Sequence, residues 1–239
     1  MLVRRVRSLR PGWATVEGER FLLRYPYSRF QAGPEATLLG RFAGLVAPGM
    51  LVFDIGANAG VYALVAARAG ARVVAFEPSA AAADLVREHL RLNRLTAVVE
   101  EAVVAGAEQD AVTFFEQGAA NTSSLSEASA RTGLGLAPGT VRAVERPATT
   151  IDAAVRAHGA PDLIKLDVEG AEKLALEGAS DWLAALSGIL LLEVHPWSLE
   201  QLGTSANETL EVLVGAGWSP ELLDDNGNTR HYVCRPATP

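Results

Sequence analysis

The residues in this sequence best equipped for chemistry lie at the ends of apolar runs. Leu51 to Ile55 leads into Gly56-Ala57-Asn58-Ala59-Gly60, with Asp54 two residues ahead of the first glycine. The glycines let the backbone turn tightly and come close to a bound ligand. Glu77 closes the next apolar run, about 20 residues on, where an acidic side chain can accept hydrogen bonds from ribose hydroxyls. The pair predicts a nucleoside site. A dinucleotide fingerprint would read G-x-G-x-x-G and hold a helix N-terminus open for a pyrophosphate. Here Asn58 takes the second glycine's place. Asp54 would repel a pyrophosphate but suits a ligand carrying an ammonium or sulfonium group.

Two later runs also end in acids. The run 162–168 carries Asp167 and leads to Glu169; the run 188–194 carries Glu193 and leads to His195. If both strands lie in one parallel sheet, these residues open onto the same crevice at its carboxyl edge. They are candidates for taking a proton from an acceptor. His195 is the one histidine of four so placed, and an imidazole titrating near its ordinary pKa of about 6.5 suits a base at neutral pH. The bland reading of His195 is a strand-end ring bonded to backbone around Pro196. Lys165 reads as a buried strand residue with its tip at a sheet edge and no catalytic part. Glu172 reads as a first-turn helix acid, His89 as structural, and His158 and His231 as surface or hairpin residues.

The elements that must position these residues follow from periodicity. Residues 14–25 read as two short strands about Glu17-Gly18-Glu19, and Pro34 opens a helix to about Val46. This gives a cap over 1–47 and a main domain over 48–239. Strands are predicted at 51–55, 72–77, 96–104, 162–168 and 188–194, with helices at 59–69, 79–93, 171–177 and 181–186. The strands are continuous apolar runs rather than alternating ones, so helices should cover both faces of a parallel sheet. A β segment is expected at 112–116, and the polar stretch from Gly118 toward Gly139 reads as a mobile loop. Thr149-Thr150-Ile151-Asp152 reads as a capped helix start. A helix near 207–216 and strands at 218–223 and 230–235 about Asp225-Asn226-Gly227-Asn228 finish the chain as a hairpin edge. The fold class is α/β, doubly wound and mostly parallel, and no internal repeat is present.

Composition removes several classes of function. With 49% hydrophobic and 21% charged residues the chain is no disordered protein. Twenty-one basic against 28 acidic residues give a net charge of −7, which provides no overall attraction to nucleic acid or anionic lipid. No apolar run approaches the roughly 18 residues of a membrane span. The single cysteine, Cys234, can form neither an intramolecular disulfide nor a cysteine zinc cluster, so a cytoplasmic location is expected. Arg4, Arg5, Arg7 and Arg10 precede no apolar signal stretch and read as a solvated terminus rather than a partner-binding arm.

The pattern D-x-G-x-N-x-G at 54–60 resembles the first motif of S-adenosylmethionine-dependent methyltransferases. Ile164-Lys165-Leu166-Asp167-Val168-Glu169-Gly170-Ala171-Glu172 resembles the signature of the FkbM methyltransferases. FDIGANAG at 53–60, AFEP at 75–78, Asn121-Thr122-Ser123-Ser124-Leu125, TTID at 149–152 and LLLEVHP at 190–196 follow in that family's order, over about 48–200. The resemblance implies a Rossmann-like, seven-stranded class I methyltransferase sheet. It places Asp54, Gly56, Ala57, Asn58 and Gly60 around the methionine half of S-adenosylmethionine, Glu77 with Pro78 at the ribose, and Glu101 and Ala102 at the adenine. Asp167 would face the reacting centre. Asn121, Ser123 and Ser124 would fold over the site. Of the nearby residues, Glu169 could border the acceptor or bond backbone N–H groups at the following helix start, and Trp197 could wall the acceptor pocket or serve ordinary packing.

The implied reaction is methyl transfer to a hydroxyl of a small metabolite such as a sugar or polyketide, with Asp167, Glu193 and His195 as catalytic candidates. The same three could instead hold a divalent metal, resembling catechol-type O-methyltransferases. Two alternatives stay open. One is a nicotinamide-dependent oxidoreductase or epimerase, against which stand Asn58 and the lack of a Tyr-x-x-x-Lys pair. The other is a non-catalytic cofactor-binding relative.

Overall fold

The computed structural model describes residues 10–24, 34–116, 123–131 and 141–237. A hairpin of β1 (Gly12–Val16) and β2 (Glu19–Leu23) turns at Glu17 and Gly18, both with left-handed φ, and helix α1 (Pro34–Leu45) follows. The chain then alternates β3 (Leu51–Ile55), α2 (Val61–Arg68), β4 (Arg72–Phe76), α3 (Ala80–Leu92) and β5 (Val98–Glu100). It leaves that rhythm for β6 (Val103–Val104), β7 (Gln109–Glu116), α4 (Glu127–Arg131) and β8 (Arg142–Thr149). Then come α5 (Ile151–His158), β9 (Leu163–Leu166), α6 (Glu172–Glu177), α7 (Ser180–Ala184) and β10 (Ile189–Val194). The last elements are α8 (Pro196–Gln201), α9 (Ala206–Gly215), β11 (Trp218–Asp225) and β12 (Arg230–Pro236).

Seven strands form one sheet in the order β11-β12-β10-β9-β3-β4-β5. Its five inner-order strands from β10 to β5 run parallel, while β12 and β11 add an antiparallel edge. Successive strand residues point to opposite faces, and both faces are apolar. Phe53, Ile55, Val74, Phe76, Ile164, Leu166, Leu190 and Leu192 pack with Trp182 and Trp218 on one side. Val52, Val73, Ala75, Leu163 and Leu191 pack with α2 and with Phe21, Leu39 and Phe42 of the N-terminal elements on the other. Each such side chain stabilises the fold by about 1.5–3 kcal/mol.

The N-terminal hairpin is pinned to α3 by side chains that imitate a neighbouring strand. Asn93 accepts the Leu22 N–H (2.8 Å) and donates to the Leu22 carbonyl (3.0 Å). His89 is buried, its Nε2 accepting the Arg24 N–H at 3.0 Å and its Nδ1 lying 2.9 Å from the Ala59 carbonyl. A neutral ring protonated on Nδ1 satisfies both bonds. His89 is therefore structural, as expected.

The segment 96–104 is not one strand. Val98–Glu100 pairs with β4 at the sheet's edge, whereas Val103–Val104 pairs with β8 in a separate three-stranded sheet, β6-β8-β7. The chain leaves the edge at Glu101-Ala102 because Val103, with Phe114 and Ala148, is buried in its own small apolar cluster. Strand Arg142–Thr149 has no counterpart in the sequence reading. It lies between β6 and β7 in that sheet with only one face covered, so its charged residues alternate outward and its apolar signal is thin. Helix α8 was likewise unread, although Pro196 at its first turn is a start signal. Asn121 and most of the stretch expected to be a mobile loop lie outside the described residues.

Candidate active site

At the carboxyl ends of β3 and β4 the backbone builds a socket. Gly56 sits at φ 76°, and a Cβ there would stand 1.7 Å from the Asp167 carbonyl, so the β9 end can approach only a glycine. The N–H groups of Gly56 and Ala57 both donate to the Phe76 carbonyl at 3.0 Å. The Asn58 N–H donates to Glu77 Oε2 at 2.7 Å, and the Ser79 N–H to Oε1 at 2.8 Å. The loop's donors are thus taken by protein acceptors, leaving no open cradle of N–H groups for a pyrophosphate. Burial raises the Glu77 carboxyl to about 7, against the pull of its two N–H bonds. Asp54 is fully buried and accepts the Ala63 N–H at 2.9 Å, and burial raises its pKa above the ordinary value against the pull of Lys165.

A cleft opens above these strand ends. Ile55, Gly56, Asn58, Phe76, Glu77 and Pro78 line one side, and Ala102, Val103, Phe114, Ser123 and Leu125 the other, with Asp167 and Glu169 at its far end. Asn58 Oδ1 and Ser123 Oγ are buried and have no hydrogen-bond partner among the described residues. Two orphaned polar atoms lining the cleft call for a ligand with its own donors and acceptors. The small sheet holds its wall in place: Arg146 donates to the Pro78 carbonyl at 2.6 Å and pairs with the buried Glu116 at 3.2 Å.

Lys165 joins the two ends of the site. Asp54 and Lys165 are cross-strand neighbours in the β3–β9 register and so share a face. The ammonium donates to the Gly56 carbonyl (3.0 Å) and Asp167 Oδ2 (3.1 Å), lies 3.8 Å from Asp54 Oδ1, and sits over the Tyr62 ring. Burial alone would lower its pKa, but Asp167, Asp54 and Glu193 together outweigh that and raise it, so it stays charged. Its tip is the electrostatic centre of the site rather than a bystander at a sheet edge. The signal in the sequence was a lysine inside a buried run, since a cation there must be paired.

Beyond Lys165 the β9 and β10 ends bring four acids around His195. Its Nδ1 lies 2.8 Å from Glu172 Oε1, and its Nε2 lies 3.3 Å from Glu169, 3.5 Å from Glu193 and 3.9 Å from Asp167. Burial would lower the ring's pKa, but Glu169, Glu172 and Asp167 outweigh it and raise it well above 6.5. At neutral pH the ring is an imidazolium, not the free base its ordinary pKa implies. Burial also lifts Glu169, to about 7, against the pull of His195. Glu169 holds a left-handed φ of 53°, a backbone strain of the kind retained at functional sites.

Glu172 is fully buried and accepts the Gly170 N–H (2.9 Å) as well as the His195 ring. Its task is to hold His195, beyond the helix-dipole role expected of it. His231, read as a surface or hairpin residue, is buried with Nε2 3.4 Å from its cross-strand partner Glu193. Glu172 and His231 could not be found from local pattern, because their partners are more than 20 and more than 35 residues away in sequence.

The cleft gathers Gly56, Asn58, Glu77, Pro78, Ala102, Ser123, Asp167 and Glu169 of the expected residues. Others are placed differently. Ala57 is buried behind the loop, and a Cβ on Gly60 would meet Val86 of α3 at 2.9 Å, so that glycine serves helix packing. Glu101 is on the surface, paired with Arg87. Ser124 Oγ donates to the Glu169 carbonyl at 2.8 Å, tying its segment down at the edge of the cleft. Trp197 is 45% exposed and does not line the cleft.

The family model described as "Methyltransferase FkbM domain" matches residues 54–221. The chain belongs to the FkbM methyltransferase family. Among curated proteins, none matches it. Similar solved structures include the precorrin-6y C5,15-methyltransferase of Geobacter metallireducens GS-15, at 11% identity and TM-score 0.53 over 87% of this chain and 90% of that one. The magnesium protoporphyrin IX methyltransferase of Synechocystis PCC 6803, with bound SAM, matches at 17% identity and TM-score 0.50 over 84% and 79%. A 16S rRNA methyltransferase of T. Thermophilus in complex with AdoMet and guanosine matches at 18% and 0.51 over 96% of this chain but 50% of its own length. At these identities the likeness establishes the fold alone: this FkbM methyltransferase has the class I methyltransferase sheet. Family and fold together support S-adenosylmethionine-dependent methyl transfer and leave no room for the nicotinamide alternative. No described helix is long and apolar enough to cross a membrane.

Proposed function

We propose that this enzyme transfers the methyl group of S-adenosylmethionine to a hydroxyl oxygen of a small metabolite of the sugar or polyketide kind, and not to nucleic acid. The meeting of Asp167 and Glu169, at the far end of the cleft, with His195 and Glu193, which do not line it, carries this reading. The cofactor fits the remainder. Glu77 has lone pairs left for the ribose hydroxyls, and Asp54, Asn58 Oδ1 and Asp167 suit the cationic methionine end.

Methyl transfer from a sulfonium is an in-line displacement. The methyl–sulfur bond breaks with its electron pair remaining on sulfur, which leaves S-adenosylhomocysteine, while an acceptor oxygen forms the new bond to carbon. The sulfonium is already an activated leaving group, so the protein must align the two partners and accept the hydroxyl proton. An aliphatic hydroxyl requires that help. Glu169, which lines the cleft, is the proton acceptor in this reading, with Asp167 bordering the reacting carbon and His195 holding Glu169 in place. An acid-rich acceptor end repels a phosphate backbone, as does the net charge of −7.

The test is methyl transfer from isotopically labelled S-adenosylmethionine to a panel of hydroxylated sugars and polyketides beside total RNA. Label in hydroxylic small molecules, abolished in Asp54→Ala, is expected. Label in RNA and in no hydroxylated compound would overturn the acceptor assignment.

A further inference from the structure

Asp167, Glu193 and His195 each offer one ligand-capable atom, and the three atoms lie within 4.8 Å of one another. They come from the ends of two adjacent parallel strands: Asp167 follows β9, and Glu193 and His195 flank the last residue of β10. Two carboxylates and one imidazole are the donor set of divalent first-row cations such as Mn2+. At metal–ligand bonds of about 2.1 Å, adjacent octahedral donors lie about 3 Å apart. His195 Nε2 is already 3.5 Å from Glu193 Oε1 and 3.9 Å from Asp167 Oδ1. Both of these distances come within about an ångström of that spacing.

The imidazole is prepared for this role from behind. Its Nδ1 faces Glu172 Oε1 at 2.8 Å, and because that oxygen also takes the Gly170 N–H it acts only as an acceptor, so Nδ1 carries the hydrogen. Nε2 is thereby turned toward the other two donors. A carboxylate bonded to the far nitrogen of a histidine is the outer support that metal-binding histidines almost always have. His195 is 8% exposed and Glu172 is 0% exposed, so the orientation is fixed by packing. Asp167, Glu169, Glu172 and Glu193 all meet around the one imidazole, and Lys165 lies beside Asp167.

The geometry points to a divalent-cation site formed by Asp167, Glu193 and His195, with Glu172 as the positioning residue behind it and the remaining coordination positions open to water or to acceptor oxygens. Asp167 borders the cofactor cleft, so an acceptor oxygen on that ion would stand beside the transferable methyl group. This last link rests on the reading given under Proposed function, whereas the cation site itself rests on the donor geometry alone.

The experiment is a titration of chelator-treated, full-length protein with MnCl2, read by the loss of the free Mn2+ signal in electron paramagnetic resonance. A parallel calorimetric titration with S-adenosylhomocysteine uses the same sample. One Mn2+ per chain is expected, bound at least about tenfold more weakly by Glu193→Gln and by His195→Gln, and about 10–100-fold more weakly by Glu172→Gln. The melting temperature of each variant separates lost ligation from lost fold. Absence of Mn2+ binding by the folded wild-type protein at millimolar concentration would overturn the site. So would Mn2+ binding that none of the three variants weakens, which would place the ion elsewhere. S-adenosylhomocysteine binding without Mn2+ sinks the cation site and spares the methyltransferase reading, and the reverse result does the opposite.

Discussion

The two ends of the cleft are built by different physics. The cofactor end, at the tips of β3 and β4, is made from backbone: left-handed glycines and Asn58, N–H groups donated to Phe76 and Glu77, and a carbonyl pressed against Gly56. The end proposed to take the acceptor, at the tips of β9 and β10, is made from acidic and imidazole side chains held by one another. Backbone geometry tolerates little and fixes a ligand common to a whole family. A side-chain cluster can be varied residue by residue, which is where substrate preference belongs.

If that contrast holds, variants at the two ends should fail differently. The largest effect is expected of Gly56→Ala. Its methyl group meets a carbonyl oxygen at 1.7 Å in a left-handed backbone, and strain plus overpacking should cost roughly 3–6 kcal/mol of stability. Chemical denaturation measures it, and a loss under about 1 kcal/mol would show that the β9 backbone yields easily. Lys165→Met removes the cation that joins the ends and leaves Asp54 and Asp167 without it. About 3–5 kcal/mol of destabilisation is expected in the same assay.

Glu169→Gln, at the proposed proton acceptor, should separate the ends. Turnover on the acceptor found by screening falls by about 100-fold, while S-adenosylhomocysteine affinity measured by calorimetry stays within about twofold. Equal losses in both would mean that the cluster supports the cofactor as well.

Glu77 gives a pH dependence. Its folded-state carboxyl titrates near 7 against an ordinary 4.5, so between those values the folded protein binds more protons than the unfolded chain. Unliganded stability should therefore fall as pH rises through this window. Cofactor affinity should move the other way, because ribose hydroxyls donate to the ionised form. About tenfold tighter S-adenosylhomocysteine binding at pH 8 than at pH 6 is expected, absent in Glu77→Gln. The smallest effect is Thr150→Ala. It deletes the acceptor of the Ala153 N–H at the start of α5 and should cost about 1 kcal/mol without changing cofactor affinity.

The contrast also explains what could be read from the sequence. Asp54, Gly56, Asn58 and Glu77 were legible because a strand-end glycine loop and an acid one βα unit later form a local pattern. The five parallel strands and the terminal hairpin were legible from apolar runs and turn residues. The strand 142–149 was not, because it buries one face only, and neither was the split of 96–104, where one apolar run serves two sheets. At the acceptor end, residue types could be named but not their protonation.

By itself the sequence determined the sheet, its family and the glycine loop with its companion acid, since periodicity and loop chemistry act over a few residues. Only the tertiary structure decided that Lys165 would anchor both ends, that Glu172 would hold His195, and that His231 would stand by Glu193. Those pairings depend on strand order and register. A buried ring's charge is likewise set by whichever acids the fold gathers around it, whatever its position in the chain.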